Sequence, residues 1–379
     1  RTGNSTTGHS SPSRREHNIT DICMATRLTA MILLLFLIFP LSQAQEKQVR
    51  LLFAGDAMQH LPQIEAARTA EGYSYDSCFY LLKERVESAD IACLNFETTL
   101  AGKPYTGYPL FSAPDQFAIA LKDAGFDLFF LANNHIVDKG QRGLERTIRV
   151  LDSIGIKHTG VFRSKESRGL NYPLMIIRNG IRMAFLNYTY DTNGLVVAPP
   201  NIVNSMDTVQ IKRDLRLTRL YYPDMVIANM HWGNEYSTTP SREQRDLASF
   251  LVRNGVSIII GNHPHVVQPI VANRRDGNIE SVVYYSLGNF ISNQQRPNTD
   301  GGAIAEIVIV KENENSPARI ASCDYSLVWV RKFSEDGRLK YRLIPVEIDE
   351  KEVIPEMSPD EWQRMSAFAS DMNQLIGSF

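Results

Sequence analysis

Residues 258–268 read Ile-Ile-Ile-Gly-Asn-His-Pro-His-Val-Val-Gln: a β-branched run that stops at Gly261 and hands two histidines to the loop beyond. Pro264 disfavours the helical region for His263, so the backbone there is expected to be extended. Residues two apart in an extended chain share a side, and His263 and His265 would then aim their rings into one space. Neutral imidazole is the commonest protein ligand for a transition metal, so the pattern points to a metal site rather than to a plain polar turn.

Four earlier apolar runs share this habit. Residues 49–54 end at Gly55-Asp56, residues 89–94 run into Asn95-Phe96-Glu97, residues 127–132 meet Asn133-Asn134-His135, and residues 225–230 meet His231-Trp232. Helical spacing lies between them, at 115–124 before Gly125, at Leu144, Ile148 and Leu151 before Gly155, and at 209–220. Ser241 and Gln244 form a capping box for a further helix, and Asn179-Gly180 marks a hairpin joining 174–177 to 181–187. Alternating strands and helices imply an α/β protein, and in open sheets of that class functional groups gather at the carboxyl ends of the strands. Five strands ending in Asp, Glu, Asn or His are hard to assign to turn chemistry alone.

The C-terminal third changes character. Strands at 282–285, 303–310, 325–333 and 341–348 follow one another without helices, so antiparallel pairing is expected. Ser358-Pro359-Asp360-Glu361 is a capping box with proline at the first helical position, and it opens a closing helix with Trp362, Met365 and Phe368.

Composition narrows the function class. The 379 residues carry a formal charge of −2, which offers no basic face for nucleic acid. The first methionine is Met24, after a Ser, Thr, Asn and Gly-rich segment that cannot bury a core. Arg27, the apolar run 31–39 and Ser42-Gln43-Ala44 then read as an export leader, with a retained membrane anchor as the alternative. The expected organisation is therefore an upstream segment and signal peptide over 1–44, a domain over 45–350, and a C-terminal helix over 351–379 packing on it. With the leader and its Cys23 removed, Cys78, Cys93 and Cys323 are an odd, widely spaced set without a CxxC pair, so neither a disulfide framework nor a thiolate metal site is expected; one bridge from Cys78 to Cys93 or Cys323 stays open.

Mixed His, Asp, Glu and Asn donors suit Zn, Mn or Fe. A metal in such a site lowers the pKa of bound water and polarises the oxygen of the bond being broken. No G-x-S-x-G elbow, P-loop or G-x-G-x-x-G fingerprint is present.

Six blocks carry a family resemblance: GDAM at 55–58, NFE at 95–97, NNHIVDKG at 133–140, HWGNEY at 231–236, GNHPHVVQ at 261–268 and YSLGNF at 285–290. In this order they resemble the CapA family of capsule or poly-γ-glutamate synthesis proteins, within the calcineurin-like metallophosphoesterase superfamily. The resemblance spans roughly residues 49–290 and implies a four-layer α/β/β/α sandwich with a metal centre at the sheet ends. By position it implies Asp56, Glu97, Asn134, His231, His263 and His265 as ligands, Glu97 standing where the bridging aspartate lies. It implies His135 as the acid toward the leaving group. Two positions depart from the superfamily pattern. Met58 stands where Gly-Asp-x-His has its histidine, which leaves one metal position a ligand short. Ile136 stands where an acidic residue usually follows Asn-His, and Asp138 is the residue that could orient His135 instead.

Two functions follow as expectations. The first is an exported, metal-dependent hydrolase of surface-polymer synthesis, periplasmic or extracellular, holding one or two divalent ions and acting on a phosphoester or a surface polymer. The second is a non-catalytic accessory protein that binds or guides such a polymer during synthesis or export; under either reading a membrane-bound synthesis complex is a candidate partner. Trp232 and Tyr236 are open between stacking on substrate and packing the loop, Glu235 between function and solvation, and Asn289 between supporting the site and forming a turn. His60 and His158 read as ordinary.

Overall fold

The structure is a computed structural model that describes residues 3–5, 7–8, 46–348 and 356–377. The export leader and its cleavage site therefore lie outside the described residues. Glu46–Phe379 forms one compact unit.

The strands run, in chain order, β1 (Lys47–Ala57), β2 (Ile91–Phe96), β3 (Leu128–Phe130), β4 (Lys157–Thr159), β5 (Val161–Phe162), β6 (Leu174–Arg178), β7 (Ile181–Thr189) and β8 (Ile202–Val203). They continue as β9 (Met225–His231), β10 (Ile258–Asn262), β11 (Ile270–Arg275), β12 (Asn278–Tyr284), β13 (Asn289–Ile291), β14 (Gly301–Lys311), β15 (Arg319–Glu335) and β16 (Arg338–Pro345). The hydrogen-bonded order is β4-β3-β2-β1-β14-β15-β12-β10-β9-β7-β6. Neighbours within β4-β3-β2-β1 and within β12-β10-β9-β7 are parallel, whereas β14, β15 and β16 pair antiparallel as the missing helices imply.

Alternation along each strand shows how this path folds over on itself. In β1, Leu51 and Phe53 point into one apolar cluster and Leu52 and Ala54 into another. In β10, Ile258 and Ile260 join the cluster of Leu51 and Phe53, while Ile259 points the other way. The two halves of the sheet thus share one inner core. Their outer faces are covered by helices Asp115–Asp123 and Gly140–Ile154 on one side and by Thr208–Arg219 and Arg242–Arg253 on the other. The result is the four-layer α/β/β/α sandwich that the motif blocks imply. A corner where Ile279 pairs with Ile320 joins the two sheets into one hydrogen-bonded path.

Ser241 and Ser358 both cap their helices through complete capping boxes. Among strands, β11 was not anticipated, although Asp276-Gly277 with φ of 50° and 81° is the turn signal that joins it to β12. The strand expected over 341–348 ends at Pro345. Cys78, Cys93 and Cys323 are buried and free, so the bridge left open by the sequence is not formed.

Helix Pro359–Ile376 packs Met365, Phe368, Met372 and Ile376 into the inner core. Its N-terminus is fixed by Arg331, whose Nε donates to Glu361 Oε1 at 2.8 Å. Burial alone would raise the Glu361 carboxyl, but hydrogen bonds from Arg331 and Ser358 outweigh it and hold the group at about 2. A carboxyl depressed on folding stabilises above its unfolded value and loses that contribution as pH falls toward the folded one. Acidification from about pH 4.5 to 2 should therefore loosen this helix. The measurement is Trp362 fluorescence against pH, with Glu361→Gln expected to flatten the transition; an unchanged profile in the variant would count against the assignment.

Candidate metal centre

Gly55 and Gly261, near the C-terminal ends of β1 and β10, leave room for the backbone that packs against them. A Cβ on Gly55 would lie 2.0 Å from the Gly288 carbonyl oxygen, and one on Gly261 would lie 1.9 Å from that of Tyr285. The chain can reach Asp56 and the His-Pro-His turn only because both positions lack a side chain.

At these strand ends the donors converge. Asp56 follows β1's close approach to Gly288, and its Oδ2 accepts the His263 amide at 3.2 Å and lies 3.1 Å from His265 Nδ1. Glu97, directly after β2, places Oε1 3.8 Å from His231 Nε2 and 3.9 Å from His265 Nε2. Asn134 Oδ1 is 2.9 Å from His231 Nε2. The His263 ring centroid lies 4.8 Å from that of His231 and 5.9 Å from that of His265. All six side chains are buried.

The backbone expectation for the opening motif fails. His263 and His265 have φ of 97° and 58°, left-handed rather than extended. Their rings meet because each is turned through a strained conformation, of a kind that costs about 1–3 kcal/mol per residue and persists where surrounding structure enforces it. The Asp56 carboxylate supplies that enforcement, accepting the His263 amide and facing the His265 ring.

Electrostatics favours a cation here. Burial drives the Glu97 carboxyl well above its ordinary value, helped by the neighbouring Asp56 charge. Burial also pushes His231 well down and His263 to about 3, so both rings are neutral donors. Glu97 Oε1 and His263 Nδ1 are buried with no hydrogen-bond partner among the described residues. Unpartnered buried acceptors are costly, and a divalent ion relieves both. Among the described residues two ligand groupings exist, Asp56-Glu97-His231 and Glu97-His263-His265, each with donor atoms within 4.8 Å of one another and both sharing Glu97. The residues fit a hard or borderline divalent ion with nitrogen and oxygen ligands.

Beside this cluster, His135 Nδ1 lies 2.8 Å from Asp138 Oδ2, and the same oxygen accepts the Phe111 amide at 2.7 Å. The Phe111 ring stands edge-on to His135 at 4.6 Å.

A family model described as bacterial capsule synthesis protein PGA_cap matches residues 50–294, which contain every one of these side chains. The chain belongs to that family. The capsule biosynthesis protein CapA of Bacillus anthracis is 26% identical over 353 residues, covering 84% of this chain and 82% of that one. The PGA biosynthesis protein CapA of Bacillus subtilis (strain 168) is 28% identical over 283 residues, covering 68% and 67%. Among solved structures, the Haemophilus influenzae NAD nucleotidase NadN aligns at a TM-score of 0.46 and 13% identity, over 88% of this chain and 64% of that one. The calcineurin-like phosphoesterase YfkN from Bacillus subtilis aligns at 0.44 and 12%, over 87% and 97%.

Several residues of this PGA_cap site were invisible in the sequence. Asn95 Nδ2 donates to Asp56 Oδ1 at 2.8 Å and lies 3.3 Å from both Glu97 Oε2 and His231 Nδ1, tying three donors together. Tyr190 lays its ring 4.5 Å from His263, and Asn193 accepts from Asn134 Nδ2, so the long loop after β7 closes one side. His60 packs edge-on to Phe111 at 5.2 Å, and burial lowers it to about 4. It is not an ordinary surface histidine. His158 pairs with Asp152 at 3.0 Å, outside the cluster.

Met58 is buried, and its carbonyl accepts from Gln59 and Gln63. Trp232 is buried and donates to the Tyr285 carbonyl, so it packs the loop. Tyr236 is half-buried, its ring 6.1 Å from His265, and Glu235 is exposed. Asn289 pairs in register with Asp56 and bonds Gln294 and Thr299.

Proposed function

We propose that this PGA_cap chain is a metal-dependent hydrolase acting outside the cytoplasm on a phosphoester or a related bond in surface-polymer synthesis. The observation that carries the reading is Glu97, a buried carboxylate shared by two ligand groupings, with the His135-Asp138 pair next to it. Asp56, Glu97, Asn134, His231, His263 and His265 would hold one or two divalent ions, Mn, Fe or Zn. When bound, the cation supplies an activated water and an electrophilic charge for the bond under attack.

The chain's own residues do the rest. Asp138 accepts a hydrogen bond from the Nδ1–H of His135, which leaves Nε2 to carry the proton given to the leaving group. The buried carboxylate offsets the charge of the doubly protonated ring, and Phe111 fixes its plane. Asn95 holds Asp56, Glu97 and His231 in relative position without being a ligand itself. Tyr190 and Tyr236 stand over the histidines and limit water access.

Turnover of a generic chromogenic phosphodiester by the metal-loaded protein tests this reading. Metal content is measured in parallel, and N-terminal sequencing shows whether the leader over 1–44 is removed. Bound metal with turnover is the expected result. Polymer binding that survives both His263→Ala and His135→Ala, without turnover, would instead favour the accessory role.

A further inference from the structure

Beyond the metal centre lies a cavity of about 390 Å³, walled by the loop 294–300, β15 and helix Pro359–Ile376. Apart from Gln294, its lining lies outside the segment matched by the family model. Arg296, Lys332 and Arg364 bring three positive charges to it, and Trp329 and Phe368 supply apolar wall.

The charges are not equally engaged. Arg364 is paired with Asp360 at 3.1 Å, and Asp300 is held by the Trp329 indole at 2.9 Å. Lys332, half-buried, donates to the Gln294 carbonyl at 2.9 Å, and burial holds its ammonium below the ordinary value against the opposing pull of the Asp300 carboxylate. Arg296 lies over the Tyr236 ring at 4.1 Å, without a carboxylate partner among the described residues. Asp371 lines the cavity from the helix side and Asp300 from the loop, so the three cations exceed the two carboxylates and the excess lies with Arg296 and Lys332. Among the described residues no carboxylate pairs directly with the half-buried Lys332 ammonium, and an anion placed beside it would lower the cost of its burial.

The cavity is also coupled to the centre. Gln294 accepts from Asn289, the register partner of Asp56, and the Asn293 amide donates to His60 Nδ1 at 3.3 Å. Tyr236, on which Arg296 rests, stands beside His265.

We propose that this cavity is an anion subsite in which Arg296 and Lys332 hold a carboxylate or phosphate group of the ligand whose other end reaches the metal centre. The position of that other end rests on the hydrolase reading; anion binding at Arg296 and Lys332 does not.

Calorimetric titration of the full chain, stripped of metal by chelator, tests the subsite with glutarate and with inorganic phosphate as probes. At least one should bind, and the probe that binds identifies the group. Arg296→Gln and Lys332→Gln should each weaken binding about tenfold or more, as expected for losing a charge-assisted bond. Asp371→Asn should tighten it, and Lys332→Arg should restore it. Arg296 is exposed, so its variant keeps the proposal testable if the Lys332 variants fold poorly. Binding of neither probe, or affinity unchanged in the folded Arg296→Gln protein, overturns the proposal. Anion binding through these residues in a protein that turns nothing over supports the subsite and sinks the hydrolase reading alone.

Discussion

Replacing His263 with alanine should abolish metal-dependent stabilisation of the folded protein. His263 is neutral well into the acid range because burial lowers it to about 3, so it is a ready donor at any ordinary pH. It belongs to one of the two ligand groupings, and loss of a ligand should weaken metal binding by more than the about 10–100-fold seen for residues one step further out. A ligand at 100 times its dissociation constant stabilises a fold by about 2.7 kcal/mol. Thermal melts should accordingly show a chelator-sensitive shift of several degrees in the wild type and little or none in His263→Ala.

Glu97→Gln sharpens the test. Burial and the Asp56 charge favour the protonated form of Glu97, and glutamine imitates that form. The chelated variant should melt no lower than the chelated wild type, yet gain nothing from added metal. Equal gains from metal in wild type, His263→Ala and Glu97→Gln would remove the centre from its proposed place.

Replacing His135 with alanine should separate chemistry from binding. A general acid contributes about 10²–10⁴-fold, and only where the leaving group needs a proton. Turnover of a phosphodiester with a poor alkoxide leaving group should fall by that factor, while one releasing a weakly basic nitrophenolate should fall far less. Metal content should stay at the wild-type level, since His135 belongs to neither ligand grouping. Asp138→Asn should act in the same direction more weakly, because the Phe111 amide can still reach a side-chain oxygen there. A uniform loss across leaving groups, or loss of metal together with turnover, would assign His135 a structural role.

Much of the centre was legible before folding. A strand that ends in Gly-Asp or in Gly-Asn-His-Pro-His announces both its burial and its chemistry within a few residues, because pleat alternation and glycine freedom are local properties. The capping boxes at Ser241 and Ser358 were legible for the same reason. The backbone of His263 was not. The proline rule gave an extended conformation, but contacts with Asp56, 207 residues away in sequence, hold the turn left-handed. Asn95, although inside the NFE block, gave no sign of its role, and Tyr190 gave none either, since an asparagine at a strand end and a tyrosine in a long loop are commonplace. His60 looked unpartnered because Phe111 and Asn293 reach it from distant segments.

The sequence by itself determined the alternating strands and helices, the residue types at the strand ends and the family. These follow from short-range periodicity and from motifs in a fixed order. Tertiary structure alone decided that the two sheets fold over one shared core and that Glu97 is common to both ligand groupings. It also decided that Arg296 and Lys332 face one cavity. Those facts depend on which surfaces the inner core brings together, and no local pattern encodes the distance between residues hundreds of positions apart.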